Sequence, residues 1–310
     1  MQPAEHGHEP VMLAEVLEAL RPSGDAVVVD CTLGRGGHAL AIANALGTGG
    51  SLIALEADPR NLEYARTRLD GAAASVTLVN ANFSEIDEVL RESGHEKVDG
   101  IFADLGLSTN QFLDPAYGMS FSEDRPLDMR IDPRSRLTAG QIVNRFGEKE
   151  LADLIYQLSD ERFSRRIARK IVEARQLSPI KNTRELAELV RSVVPSIGAG
   201  RTGTGSGASR ARIDPATRTF MALRMKVNGE VENLVRLLEV APRHLKPGGR
   251  MAVISFHSVE DRAVKQAFRF AEQTGLLKVI TKKPLSPSEL ETAKNQRARS
   301  AKLRVAEKTE

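Results

Sequence analysis

One cysteine, Cys31, serves all 310 residues, so neither an internal disulfide nor a cysteine-rich zinc site can form. Tryptophan is missing, and tyrosine occurs three times. No apolar run nears the ~18 residues that a membrane-spanning helix requires. Residues 1–10 hold two histidines and two acids in place of a basic-then-apolar leader. Metal-ligand spacings of the HExxH or CxxC kind are missing too, and no metal is expected. Neither sign of charge dominates: 44 Lys and Arg against 41 Asp and Glu leave +3. Such a mildly basic balance makes the placement of charge more telling than its sum. A cytoplasmic chain with no membrane partner is the expectation. Oligomeric state is left open. With 41% apolar and 27% charged residues, the chain has the composition of an ordinary globular protein, long enough for one large domain carrying an inserted second one.

What is present begins as an alternation. Val27–Asp30, Ser51–Glu56, Ser75–Asn80 and Val98–Asp104 read as short buried strands. His38–Leu46, Pro59–Leu69 and Ser84–Arg91 read as the helices between them. Strands separated by helix-length segments imply parallel βαβ units with right-handed crossovers. From Gly106 to Arg136 the chain is irregular and rich in Asp, Ser and Pro; from Thr138 to Val194 it reads as helix only. Within Glu161–Arg175, Phe163, Ile167, Ile171 and Ala174 form an apolar helical stripe. Gly198–Ala211 is dense in Gly, Ser, Thr and Arg and is expected to be mobile.

A long helix is expected from Pro215 to about Arg243. It is followed by a strand at Met251–Phe256, a helix at Val259–Ala271 and closing strands at Leu277–Thr281 and Leu303–Ala306. The whole reads as α/β, one doubly wound sheet interrupted by helices. The divisions expected are 1–112 and 215–310 for the sheet domain and 113–214 for the helical insertion.

The turn Asp30-Cys31-Thr32-Leu33-Gly34-Arg35-Gly36-Gly37-His38-Ala39 leaves a strand and opens a helix, where glycines let a ligand approach backbone amides. Gly34, Gly36 and Ala39 satisfy the dinucleotide fingerprint, a pattern of low specificity by itself. Asp30 at the strand end repels a pyrophosphate but suits a ligand with a cationic end, such as S-adenosylmethionine. Glu56, ending the second strand, suits ribose hydroxyls in either class of ligand. Asp104 ends the fourth strand, where ligand and acceptor would meet. A NAD-dependent oxidoreductase therefore stays open beside a methyltransferase. Covalent attack on a pyrimidine ring needs a thiolate, and Cys31 inside the turn reads as a small buried residue. An exocyclic amine as methyl acceptor needs only orientation and a proton acceptor. Asp104 or a nearby backbone carbonyl is the candidate acceptor. His257, at the end of the strand after the insertion, is a second candidate on the substrate side. Ser258 reads as the cap of the helix that follows, with Asp261 as its acidic partner.

Seven ordered motifs carry a more specific signal: DCTLGRGGHA (30–39), DLGLSTNQ (104–111), SFSEDRPLDMRID (120–132), ERFSRRIARKIV (161–172), PATRTFMALRMKVNGE (215–230), PGGRMAVISFHSVEDRAVK (247–265) and NQRARSAKLRVAE (295–307). Together they closely resemble the ribosomal RNA small subunit methyltransferase H family, also called the MraW family. The resemblance implies a class I, Rossmann-like methyltransferase fold with an inserted helical domain. It also implies S-adenosyl-L-methionine as cofactor and N4-methylation of a cytidine in 16S ribosomal RNA near the decoding centre. By motif position it places Gly36, Gly37 and His38 on the cofactor, Glu56 on the ribose and Phe83 near the adenine, with Asp104 and Gln111 completing the site. Cys31 stands where the family pattern has Gly, Glu56 where it has Asp, and Asp214 where it has His.

For RNA, Arg162, Arg165, Arg166, Arg169 and Lys170 crowd one helix opposite its apolar stripe, as phosphate contacts would. Lys294, Arg297, Arg299, Lys302 and Arg304 form a second cluster, and Arg201, Arg210 and Arg212 flank the glycine-rich segment. Tyr117 and Phe121 are the aromatic candidates for holding a base out of its stack. The partner expected is 16S ribosomal RNA or the small ribosomal subunit. A catalytically silent ribosome-assembly factor on the same fold is the remaining alternative.

Overall fold

The computed structural model describes residues 10–194 and 214–310. The expected mobile stretch 198–211 and its flanking Arg201, Arg210 and Arg212 fall outside the described residues. Two compact units emerge: residues 1–108 with 231–310, and residues 109–230.

The first unit opens with α1 (Leu13–Leu20), then alternates β1 (Val27–Asp30), α2 (Gly37–Leu46), β2 (Ser51–Leu55), α3 (Pro59–Arg68), β3 (Ser75–Val79), α4 (Ile86–Glu92) and β4 (Val98–Asp104). The second contains α5 (Thr109–Leu113), α6 (Ala139–Arg145), α7 (Glu148–Ser159), α8 (Ser164–Leu177), α9 (Thr183–Val193) and α10 (Ala216–Val227). The first unit then resumes through α11 (Glu230–Val240), β5 (Leu245–Ser255), α12 (Ser258–Gln273), β6 (Leu277–Val279), α13 (Glu289–Lys294) and β7 (Lys302–Lys308).

The described strands form one seven-stranded sheet in the order β3-β2-β1-β4-β5-β7-β6, with β7 antiparallel to both its neighbours. Strand residues are apolar on both faces, as a sheet covered twice requires. Val29, Ile53, Ile101, Ala103 and Val253 join one core with α4, α11 and α12. Val28, Leu52, Phe102, Ala252 and Ile254 join the other with α1, α2 and α3. Each fully buried Val, Leu or Ile contributes roughly 1.5–3 kcal/mol. Neighbouring β1 and β4 belong to chains that wind outward in opposite directions. The carboxyl ends of these two strands are therefore a topological switch point, where such sheets bind ligands.

Several expectations change. Pro247-Gly248-Gly249 does not precede the strand but lies inside β5, where the register with β4 shifts between Val98 and Gly100. A Cβ on Gly249 would sit 3.0 Å from the Asp99 carbonyl oxygen, so only glycine fits there. The long helix after Pro215 breaks at Asn228-Gly229 into α10 and α11, with Gly229 at φ +59°. Ala216, Phe220, Leu223 and Val227 of α10 are buried in the core of the second unit, so 215–230 packs with the helices rather than with the sheet. The second unit likewise begins at Thr109, before the expected division at 112/113.

That second unit is built on the core shared by α6–α10, with Ile142, Ile155, Ile167, Ile171 and Leu186 buried. Its irregular stretch is held in place by defined bonds. Met129 N donates to the Tyr117 carbonyl, and Asn228 Nδ2 donates to the Met129 carbonyl. Met129 is fully buried at φ +63°, a left-handed conformation that a residue with a Cβ occupies only when its surroundings enforce it. Gly118 also lies at positive φ, and a Cβ there would come within 2.4 Å of the Pro126 carbonyl oxygen.

Candidate cofactor site

At the carboxyl end of β1 the chain turns on its own polar groups. Asp30 Oδ1 accepts from Thr32 N at 3.0 Å, and Thr32 Oγ1 accepts from Asp104 N at 2.6 Å. Cys31 N donates to the Phe102 carbonyl and Leu33 N to the Leu55 carbonyl. One turn is thereby pinned to β4 on one side and β2 on the other. Gly34 (φ +52°) and Gly36 (φ +78°) carry the left-handed backbone, and α2 starts at Gly37. The amide-lined entry to a helix lies against three strand ends, the arrangement expected from the glycine motif.

Glu56 fastens the turn from the second strand. Its Oε2 accepts from Gly34 N at 2.8 Å, its Oε1 from Asp58 N at 2.9 Å, and its carbonyl from Asn80 Nδ2 at 2.8 Å. The Asn61 side chain takes a third acceptor position, and of the roughly four that a carboxylate offers about one is left for a hydroxyl donor. Burial pushes its carboxyl up to about 7 against the pull of the two amides. Phe83 opens a short 3₁₀ turn (Phe83–Glu85) after β3, capped by Asn82, with its ring half-buried against the sheet core.

Asp30 and Asp104 end adjacent strands. Burial raises the Asp30 carboxyl to about 7, offset in part by the bonds from Thr32. Burial also holds Asp104 well above the ordinary carboxylate range, with Asp30 and Glu260 adding repulsion. Asp104 Oδ1 is buried with no hydrogen-bond partner among the described residues. No lysine or arginine pairs with Asp30, Glu56 or Asp104 among the described residues. Two buried acids and a half-buried third with an orphan carboxylate oxygen fit a ligand with a cationic end and ribose hydroxyls; a pyrophosphate fits them poorly. His38 is buried on the first turn of α2, its Nε2 2.8 Å from the Val11 carbonyl oxygen and its Nδ1 3.6 Å from Asp104 Oδ2. Burial and the neighbouring Asp30 raise the Cys31 thiol well above its ordinary value, leaving it protonated and unreactive.

His257 lies past the end of β5, but in a role other than the expected one. Its Nδ1 accepts from Glu260 N at 3.4 Å, so His257 rather than Ser258 caps α12. Glu260 answers by accepting from Phe256 N at 3.0 Å, and its Oε1 lies 3.0 Å from His257 Nε2. Asp261 is drawn away to Arg304 and Lys302 at 2.7 and 3.2 Å. Those bonds remove two cations from the C-terminal basic cluster, and Arg304 is buried. Arg297 and Arg299 stay exposed on the 3₁₀ turn Gln296–Ser300.

The other expected residues belong to the second unit. Gln111 is buried within α5. Arg162 precedes α8, while Arg165, Arg166 and Arg169 lie on it; all four are exposed, with Arg169 3.5 Å from Glu148 and Arg166 over the Phe163 ring. Tyr117 is only 2% exposed, which closes it to a base in this conformation. Phe121 packs edge-on against Phe220 and has the Arg191 guanidinium over its ring.

Sequence reasoning missed Thr32, Val11, Glu260 and the Asn61–Ser108 hydrogen bond (3.1 Å). Of these only Thr32, two residues after an acid at a strand end, carries a local signal, that of an Asx turn.

The MraW methylase family profile matches residues 5–309. The chain is 47% identical to the ribosomal RNA small subunit methyltransferase H of Acidobacterium capsulatum over 97% of this chain and 98% of that one. It is also 47% identical to the protein of the same name from Solibacter usitatus, over 97% and 99%. Among solved structures, a putative rRNA methylase from Clostridium thermocellum matches with a TM-score of 0.47 and 11% identity over 97% of each chain. With a matching profile across nearly its whole length, two full-length relatives and a cofactor turn built as the motif requires, the chain belongs to the MraW methylase family.

Proposed function

We propose that this chain transfers a methyl group to the exocyclic N4 of a cytidine in 16S ribosomal RNA, near the decoding centre. The observation that carries the reading is the set of acids at the β1, β2 and β4 ends, Asp30 and Glu56 buried and Asp104 half-buried, with no cation beside them among the described residues, in a full-length member of this family. S-adenosylmethionine is the cofactor, and when bound it supplies a methyl group on a sulfonium, already activated for transfer to a nitrogen lone pair.

The chain's own residues bind and orient. Gly34, Gly36 and Gly37 let the ligand approach backbone amides, and Glu56 offers its spare acceptor position to a ribose hydroxyl. Asp30 and Asp104 face the ammonium end. Phe83 lies near the adenine. A buried, protonated Cys31 leaves no thiolate for covalent chemistry at the ring carbon, which favours an exocyclic amine. Asp104 Oδ1 is the acceptor best suited to the amino hydrogens. His257, tied into the cap of α12, serves position more than proton transfer. The exposed Arg162, Arg166, Arg169, Arg297 and Arg299 contact RNA phosphates.

The test is methyl transfer from labelled S-adenosylmethionine to small ribosomal subunits from cells lacking this protein, followed by digestion to nucleosides. Label in N4-methylcytidine is expected. Label in another nucleoside would keep the cofactor and replace the acceptor. Cofactor binding without transfer, beside an active control enzyme, would turn the reading to a silent assembly factor.

A further inference from the structure

Three arginines and a tyrosine collect beside the glycine turn, and the cofactor reading uses none of them. Arg60, Tyr64 and Arg68 of α3 stand four residues apart, so they share one helical stripe about 12 Å long. The neighbouring stripe of Asn61, Ala65 and Leu69 is buried, whereas Arg60 and Tyr64 are exposed and Arg68 is half-buried. Arg35, between Gly34 and Gly36 of the turn, lays its guanidinium over the Tyr64 ring, 4.3 Å from the centroid. Arg68 Nη1 donates to the Arg35 carbonyl at 3.3 Å, which ties the far end of the stripe to the turn. The acids at hand do not neutralise this group. Asp58 caps α3: its Oδ1 accepts from Arg60 N at 3.0 Å and lies 3.9 Å from Arg60 Nε. Glu63 turns aside to Arg66 at 3.7 Å. Neither Arg35 nor Arg68 makes an ion pair among the described residues. Arg35 Nε is also buried without an acceptor among the described residues, an unsatisfied donor on the same head.

We propose that Arg35, Arg60 and Arg68, organised by Tyr64, form a phosphate-binding ridge for the RNA strand that carries the methyl acceptor. A guanidinium presents its donors in a planar fork that fits phosphate oxygens, and stacking on a ring fixes that fork before the ligand arrives. Cations in a row with an aromatic among them suit a polyanion whose units carry rings, which is a single nucleic-acid strand. Position strengthens the match. Arg35 belongs to the cofactor turn itself, so a phosphate held there lies beside the place where acceptor and cofactor must meet. The ridge is separate from the arginines of α8 and from Arg297 and Arg299. That its strand is the methylated RNA rests on the function proposed above; its affinity for phosphates does not.

Fluorescence anisotropy of the full chain with a labelled oligouridine, measured across a salt series, tests the ridge. In the combined Arg35→Gln, Arg60→Gln and Arg68→Gln variant the slope of log affinity against log salt should fall by about 0.7 per lost contact, hence by about 2. Arg60→Lys with Arg68→Lys keeps both charges and should keep the parent slope. Tyr64→Leu keeps the apolar cover but releases Arg35, and should cost about threefold in affinity. With small ribosomal subunits from cells lacking this protein, the loss in Arg60→Gln with Arg68→Gln should appear in KM for the subunit rather than in kcat, about tenfold. An unchanged slope in the triple variant, with RNA still bound, would mark the ridge as a solvated face and overturn the proposal. Weaker binding at an unchanged slope would overturn it as well, since no phosphate contact was then lost. Should the triple variant fail to fold, Arg60→Gln with Arg68→Gln reads the same slope, with an expected fall of about 1.4. Label in a nucleoside other than N4-methylcytidine, beside the expected fall in slope, would refute the function proposed above and leave the ridge standing. A parent protein that binds cofactor but no RNA would refute both.

Discussion

The two units treat charge in opposite ways. In the first, Asp30 and Glu56 are withdrawn from water at strand ends and Asp104 is half-buried beside them, with no cation next to any of the three among the described residues, and all three carboxyls are raised. In the second, acids and bases meet at the surface: hydrogen bonds from Arg130 hold Asp128 below its ordinary value, and the arginines of α8 point into water. Uncompensated buried acids are costly unless a ligand supplies the cation. Solvated arginines cost little and gain only when a polyanion arrives. The first pattern is that of a site for one small cationic molecule, the second that of a broad surface with replaceable contacts.

If that contrast is right, Asp104→Ala should have the largest effect, lowering methyl transfer by about 10²-fold or more while the protein stays folded. Loss of less than tenfold would remove Asp104 from the chemistry. Next in size is Gly118→Ala, which forces a Cβ into the left-handed region and against the Pro126 carbonyl. Unfolding in urea should show a cost on the order of 3 kcal/mol. An unshifted midpoint would mean that the Tyr117–Met129 turn is softer than its bonds suggest.

A triple Arg162, Arg166 and Arg169 to Ala variant should reduce the slope of log affinity for RNA against log salt by about 0.7–0.9 per lost phosphate contact. Its cofactor affinity should stay within about twofold. An unaltered slope would mark these arginines as an ordinary solvated face.

A further effect is on pH dependence. Asp30 is raised from 3.8 to about 7, so the folded ligand-free protein holds a proton that the unfolded chain releases. The stability this confers is full below the unfolded value and is lost as pH rises through about 7. Asp30→Asn should therefore raise the melting temperature relative to the parent at pH 8, with the gap closing toward about pH 4, and should weaken cofactor binding. A gap independent of pH would show that Asp30 is ionised throughout.

How legible this was depended on the distance over which each feature is specified. The strand ends at Asp30, Glu56 and Asp104 stand out because each acid follows an apolar run. The glycines between β1 and α2 announce positive φ in the same local way. His38 could be singled out by motif but not understood, since its partner Val11 is 27 positions away. The basic cluster 294–304 looked uniform because nothing near it in sequence reveals Asp261, whose bonds to Lys302 and Arg304 span 41 and 43 positions. Capping of α12 was assigned to Ser258 by residue preference, whereas Glu260 folding back on Phe256 N made His257 the cap. Pro215 to Asn228 read correctly as helix, yet its buried face matches the helical core, and periodicity alone does not say which core a helix joins.

The pairing of β4 with β5, Asp104 opposite Ile254, has a consequence for how the chain folds. The helical unit is one continuous stretch, whereas the sheet is closed by a strand that follows all of it in sequence. During synthesis, β1 to β4 must wait with an open edge while the whole of 109–230 is made, and long-range parallel pairing of this kind is slow. The helices can therefore mature first. The ligand-binding strand ends acquire their final neighbours only when β5 and β7 arrive, so competence to bind the cofactor should be among the last properties the chain gains.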